Sequence, residues 1–323
     1  MGPRAGRPRF RRRGYLTGAD APAPIPVTVI GGYLGAGKTT LVNSLLRQAD
    51  GLRLAVLVNE FGELPIDADL IESRDENVIN IAGGCVCCSY GSDLIEALKT
   101  LETLDPAPDH LLIEASGVAL PDAIAQSTTL IARYTVDGIV VLADAESVRG
   151  HGSDKYLADT IAHQLEVADI ILLNKTDLLA SDLLGQTREW LRANCAGARI
   201  VETEKANVRL PTLLGARLEA PLSDVGHNHV HAQHESFVLS VEGPVDPHTL
   251  TKRLSDASFD LIRTKGFVTG MDGCSYAVQT VGRRASVVAT SQSARDTGRI
   301  VCIRSGGPID RSALEAMASE LSD

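Results

Sequence analysis

The chain lacks an excess of positive charge. Its 31 Lys and Arg stand against 41 Asp and Glu, a formal net charge of −10. That excludes a general nucleic-acid binder, because phosphate backbones are held by clustered cations. Long apolar runs are missing too: none approaches the roughly 18 residues of a membrane span, so no membrane contact is expected. Cysteine is scarce, with six in 323 residues and three of those within four positions. Such usage does not resemble a secreted disulfide framework and points to a reducing cytoplasm. Before Asp20 there is no acid and no apolar core of signal-peptide length, only Arg4, Arg7, Arg9, Arg11, Arg12 and Arg13. Residues 1–24 read as a disordered basic tail ending in the linker Ala21-Pro22-Ala23-Pro24. A tail that touches anionic surfaces, or a targeting peptide, is the alternative.

What the chain does have is ordinary globular composition, 44% apolar and 22% charged, and length enough for two domains. One stretch organises it. Gly32-Tyr33-Leu34-Gly35-Ala36-Gly37-Lys38-Thr39 satisfies the P-loop pattern in full, with Thr40 behind it. Residues 27–30 are a β-branched run suited to a buried strand, and residues 41–46 have helical apolar spacing. In that setting the loop N–H groups and the helix dipole cradle phosphates. Lys38 is expected to reach the β and γ phosphates, and the Thr39 hydroxyl to sit on Mg²⁺.

Downstream, four strands deliver chemistry to their C-terminal ends, the edge where open α/β sheets bind ligands. Residues 54–59 lead to Glu60 and Glu63, which read either as metal or switch residues or as a solvated acidic turn. Residues 78–81 run into Gly83-Gly84-Cys85-Val86-Cys87-Cys88, ahead of an amphipathic helix over residues 92–104. A helix entrance favours thiolates, and three of them can fill three of the four tetrahedral corners around Zn²⁺, leaving one open for transfer. A Cys85–Cys88 redox pair and inert buried thiols are the alternatives. The other cysteines, Cys195, Cys274 and Cys302, are isolated and read as core.

Residues 110–113 lead into Glu114-Ala115-Ser116-Gly117, where the acid would handle Mg²⁺ or its water and the glycine N–H would sense the γ phosphate. After buried strands at 138–145 and 169–173 comes Asn174-Lys175-Thr176-Asp177, of the N-K-x-D form. Its Asp accepts from the ring N–H and exocyclic amine of guanine, a donor pair adenine lacks, so GTP is expected over ATP. A strand at 199–201 and a helix over 208–218 close an α/β domain with a mostly parallel sheet.

Residues 221–235 carry His227, His229, His231 and His234 in a polar linker that reads as weak metal capture or as plain solvated chain. The remainder reads as a smaller α+β domain: strands near 237–241, 262–263, 276–281, 286–289 and 300–303, a helix over 247–256, and a last helix capped by Asp310. Arg263, Lys265, Arg283 and Arg284 read there as a solvated basic face.

From Gly32 onward this ordered set, with Asn59-Glu60-Phe61-Gly62-Glu63 and Lys265-Gly266-Phe267-Val268, resembles the CobW-like metallochaperone GTPases. The resemblance implies a P-loop NTPase domain over 25–220, a histidine-containing linker over 221–235 and a CobW C-terminal α+β domain over 236–323. It implies a weak, regulated GTPase. Gly32, Gly35, Ala36, Gly37, Lys38, Thr39, Thr40, Asn174, Lys175 and Asp177 would hold Mg²⁺-GTP, with Lys38 and Glu114 catalytic. Zn²⁺, or Co²⁺ in some members, would load on Cys85, Cys87 and Cys88 and pass to a client metalloprotein as GTP is hydrolysed. A homodimer is one assembly it admits. The competing readings are a nucleotide-gated metal sensor or buffer, a cobalt-handling protein of cobalamin synthesis, and a signalling GTPase whose cysteines are only structural. No arginine finger or positioned glutamine is evident, so intrinsic hydrolysis is expected to be slow.

Overall fold

The structure, a computed structural model, describes residues 24–49, 51–58, 78–82, 92–195, 197–214, 234–290 and 297–322. Its first sheet has seven strands: β1 (Ile25–Gly32), β2 (Leu54–Val58), β3 (Val78–Ala82), β4 (His110–Glu114), β5 (Tyr134–Asp144), β6 (Ile170–Asn174) and β7 (Arg199–Thr203). They lie in the order β3-β2-β4-β1-β5-β6-β7, and every ladder between them is parallel. The sequence explains this: β2, β4 and β6 are buried at all five positions, as strands covered on both faces must be.

Six helices of this region are α1 (Lys38–Arg47), α2 (Ser92–Leu101), α3 (Pro121–Thr128), α4 (Val148–His151), α5 (Ala158–Glu166) and α6 (Ser181–Asn194). One apolar core, with Leu98, Ile124, Leu165 and Leu191, packs under α2, α3, α5 and α6. The other, with Leu41, Leu45, Leu142 and Leu172, packs under α1. Each such side chain contributes about 1.5–3 kcal/mol by leaving water. The helix expected over 208–218 is only a short turn, α7 (Leu210–Leu213), with residues 215–218 outside those described.

The second sheet is antiparallel, in the order β11-β10-β9-β12-β8. It comprises β8 (His234–Glu242), β9 (Leu261–Thr269), β10 (Ser275–Val281), β11 (Arg284–Thr290) and β12 (Thr297–Ser305), with α8 (Pro247–Leu254) and α9 (Arg311–Ser322). β8 takes in His234 and Glu235, assigned above to the linker. Glu235 is held there by the Ile309 N–H at 2.6 Å and Arg311 at 2.7 Å. Asp310 caps α9 as expected, accepting from the Ala313 N–H at 3.0 Å.

Two expectations fail here. The basic face is only partly solvated: Arg263 is 0% exposed and donates to Asp137 Oδ1 at 2.6 Å and to the Leu213 carbonyl at 2.8 Å. Arg284 pairs with Asp169 at 2.9 Å, and Arg283 donates to the Glu166 carbonyl. These arginines join the second sheet to the first, at the strand starts opposite the P-loop edge. Ile262 and Val281 enter the core under α1 at the same junction. Cys274 is exposed, not core, because it closes the tight turn between β9 and β10, where its N–H donates to Asp272. Cys195 and Cys302 are buried as expected, and burial pushes their thiols up to about 11 and about 12. No helix among the described residues is long and apolar enough to cross a membrane.

Candidate functional site

The site is built where β1 gives way to α1. Gly37 precedes the helix with φ 105°, and a Cβ there would come within 2.6 Å of Asn174 Nδ2, so only glycine fits. That close approach brings two motifs 138 residues apart together: Asn174 Nδ2 donates to the Ala36 carbonyl at 2.9 Å. Lys38, 9% exposed, folds back over its own loop and donates to the carbonyls of Gly32 at 2.9 Å and Tyr33 at 3.3 Å. Gly35 has the left-handed φ of 74°, and Thr40 is exposed on the first turn of α1.

Next to the loop, the Thr39 hydroxyl donates to Glu114 Oε1 at 2.8 Å. Glu114 ends β4, which pairs directly with β1 through Ile30↔Glu114. The Ser116 Oγ, two residues on, is buried with no hydrogen-bond partner among the described residues. A hydroxyl, a carboxylate and a second buried hydroxyl beside a phosphate-binding loop are all oxygen donors, the set Mg²⁺ takes. The residues present therefore fit Mg²⁺ with a triphosphate.

On the other side, Asp144, Asn174 and Thr203 stand in one row across β5, β6 and β7. Asn174 is a strut, because its Oδ1 also accepts from the Ala206 N–H at 2.8 Å. Lys175, at φ 62°, reaches Asp144 Oδ2 at 2.6 Å. Asp177 is exposed at the start of the following turn. The tetrapeptide 174–177 is thus braced against both the P-loop and the loop after β7.

Sequence reasoning misses four participants. In the sequence Asp144 is only the end of a buried run. Lys205 and Ala206, in the loop anchored by Asn174, have positive φ of 53° and 52° without being glycine and leave no sequence signal. Gln164 does leave one: it interrupts the apolar stripe Ile161, Leu165 of α5 and is 1% exposed.

Cys85, Cys87, Cys88, Glu60, Glu63, His227, His229 and His231 lie outside the described residues, as does the arginine tail. Among the described residues no cluster of three or more His, Cys, Asp or Glu could hold a metal ion.

Comparison with known proteins settles the lineage. The model of the "CobW/HypB/UreG, nucleotide-binding domain" matches residues 26–202, and the "Cobalamin synthesis protein cobW C-terminal domain" matches residues 234–321. The chain belongs to the CobW family. It is accordingly a P-loop GTPase followed by the family's antiparallel C-terminal domain. A protein named "Zinc chaperone CobW" from Sinorhizobium sp is 31% identical over 286 residues, covering 75% of this chain and 81% of that one. Another of that name from Pseudomonas aeruginosa is 31% identical over 327 residues, 87% of each. Among solved structures, the Zn(II)-bound YjiA GTPase of E. coli is 24% identical, with TM-score 0.46 over 93% of this chain and 99% of that one.

Proposed function

We propose that this CobW-family GTPase is a metallochaperone that takes Zn²⁺, or Co²⁺, as cargo on Cys85, Cys87 and Cys88 and delivers it to a client metalloprotein, release being coupled to GTP hydrolysis. One observation carries the reading. Ala82 pairs with Val58, and Val58 with Glu114, so the three stand in a row across β3, β2 and β4. Two strand spacings put Ala82 about 10 Å from Glu114. The chain leaves Val58 toward Glu60 and Glu63, and leaves Ala82 toward Cys85, at the edge where Glu114 accepts from Thr39. Segments that start from one row, beside the place for the γ phosphate, can respond together when that phosphate is lost. The names of the relatives, zinc chaperones, agree with this cargo.

Gly32, Gly35, Ala36, Gly37 and Thr40 cradle the phosphates in this account, and Asp177 reads guanine in a frame set by Asn174 and Lys175. Lys38 exchanges two backbone carbonyls for phosphate oxygens and neutralises the charge that builds on them as water attacks the γ phosphorus in line. Mg²⁺, when bound by Thr39 with Glu114 holding the ion or its water, supplies further positive charge there. The three thiolates leave one tetrahedral corner open, so a client's ligand can enter and draw the cargo away. Thiolates persist in a reducing compartment, which suits a cytoplasmic protein. The work divides along the chain, with nucleotide and cargo handled by residues 25–220, joined through 221–233 to a client-facing domain from 234 onward.

Metal analysis of the purified full chain with Mg²⁺-GTP tests the cargo site. Replacing Cys85, Cys87 and Cys88 by Ser, singly and together, is expected to remove about one equivalent of tightly bound Zn²⁺ while GTP binding persists. Unchanged zinc stoichiometry in the triple variant would contradict the assignment.

A further inference from the structure

The loop after β4 is held from two sides. On one, Leu34 of the P-loop packs against Gly117 so closely that a Cβ there would meet Leu34 Cδ2 at 2.5 Å and the Leu34 nitrogen at 2.8 Å. On the other stands Gln164, buried in the first domain with one amide group serving two carbonyls. Its Nε2 donates to Gly117 at 3.2 Å and to Ala119 at 2.9 Å. Gly117 and Ala119 are both buried, so without Gln164 neither carbonyl can turn to water at no cost. The rest of the loop is fixed at its base by the Ala115 N–H on the Ile30 carbonyl and by a turn from the Ala119 N–H to the Ser116 carbonyl, at 3.1 Å. Between those anchors, the Gln164 amide holds the Gly117–Ala119 segment by two of its carbonyls.

Helix α5 adds a second tie beyond the loop. His163 Nε2 meets Asp122 Oδ1, on the first turn of α3, at 2.9 Å. Neighbouring residues of one helix thus hold different things: His163 the helix that follows the loop, Gln164 the loop backbone itself. That separation allows loop geometry to be disturbed without loosening α5 as a whole, and the reverse.

We infer that Gln164 is a positioning residue for nucleotide-state discrimination: by holding the carbonyls of Gly117 and Ala119 it fixes this backbone against Leu34 of the P-loop, so that the protein distinguishes a triphosphate from a diphosphate. This rests on the reading that the 32–40 loop holds the phosphates and that Gly117 addresses the terminal one. A diphosphate has no terminal phosphate for Gly117 to meet, so the effect of Gln164 falls chiefly on the triphosphate.

The test compares affinities of the full chain for GDP and for a non-hydrolysable GTP analogue, both with Mg²⁺. Gln164→Leu, which keeps the bulk and removes the donor, is expected to lower the analogue-to-GDP affinity ratio about tenfold while GDP affinity stays within about twofold of wild type. His163→Ala is expected to leave the ratio unchanged. An unchanged ratio in Gln164→Leu, an equal fall in His163→Ala, or a parallel loss of both nucleotides would overturn the inference. Failure of the wild-type chain to bind either nucleotide would instead overturn the phosphate-loop reading on which it rests.

Discussion

Replacing Lys38 by Met is expected to slow GTP turnover by on the order of 10²- to 10³-fold, the usual effect of removing one preorganised charge from a reacting centre. The structure shows why this cation is suited to the task. Lys38 is 9% exposed and held on the carbonyls of Gly32 and Tyr33, so its ammonium group already lies within the loop before a phosphate arrives. Exchanging carbonyls for phosphate oxygens needs only a small swing of the side chain. Met keeps most of the buried stem, so the fold should survive with a modest loss of stability from two carbonyls that lose a donor. Single-turnover hydrolysis with enzyme in excess, alongside thermal melts, separates the two effects. Turnover within twofold of wild type would remove Lys38 from the reaction.

The second large effect is on stability and concerns the junction far from the nucleotide. Arg263→Met is expected to cost about 3–5 kcal/mol, because it strands a carboxylate that is 4% exposed. Asp137 Oδ1 accepts from both Arg263 and Gln279 at 2.6 Å, and Oδ2 faces Thr28, whose hydroxyl also meets His110 Nε2 at 2.8 Å. Burial drives the Asp137 pKa up, yet Arg263, His110 and these hydrogen bonds outweigh it and hold the carboxyl below its usual value. Removing both charges, as in Arg263→Met with Asp137→Leu, should recover much of the loss, since a buried pair is often little better than apolar residues of similar volume.

The same cluster sets a pH dependence. His110 is pushed down to about 4, chiefly by burial, with Asp137 raising it and Arg263 and Lys265 lowering it further. The unfolded chain takes up this proton below about pH 6.5, whereas the folded chain resists until about 4. Stability therefore falls as pH drops through that window, by about 3 kcal/mol from this residue, and does not change on its account above it. Urea midpoints between pH 7.5 and pH 4.5 measure the slope, and His110→Gln should flatten it. A midpoint that rises on acidification would show the sign to be wrong.

Much of this was legible in the sequence because it is written in local patterns. The P-loop, the acid after residues 110–113 and the N-K-x-D tetrapeptide each follow a short buried run, and a short β-branched run buried on both faces suits a central parallel strand. Their meeting at one edge then follows from topology. The junction was not legible, and the reason is physical. Arg263, Arg283 and Arg284 look like surface residues in any local window, and only the three-dimensional pairing with Asp137, Asp169 and the Glu166 carbonyl buries or engages them. Cys274 misled in the opposite sense, since an isolated cysteine suggests core while its Gly273 neighbour and the Asp272 cap make a turn. Gln164 was visible as a polar residue in an apolar helical stripe, but its partners are backbone carbonyls and leave no trace in side-chain patterns.

A competition titration of Zn²⁺ against a chromophoric chelator, run on the full chain in nucleotide-free, GDP-loaded and GTP-analogue-loaded forms, addresses the core of the account. Coupling between γ phosphate and cargo predicts that zinc affinity differs on the order of tenfold between the analogue and GDP forms, and that the difference vanishes when Cys87 is replaced by Ser. Zinc held with one and the same affinity in all three forms would contradict it.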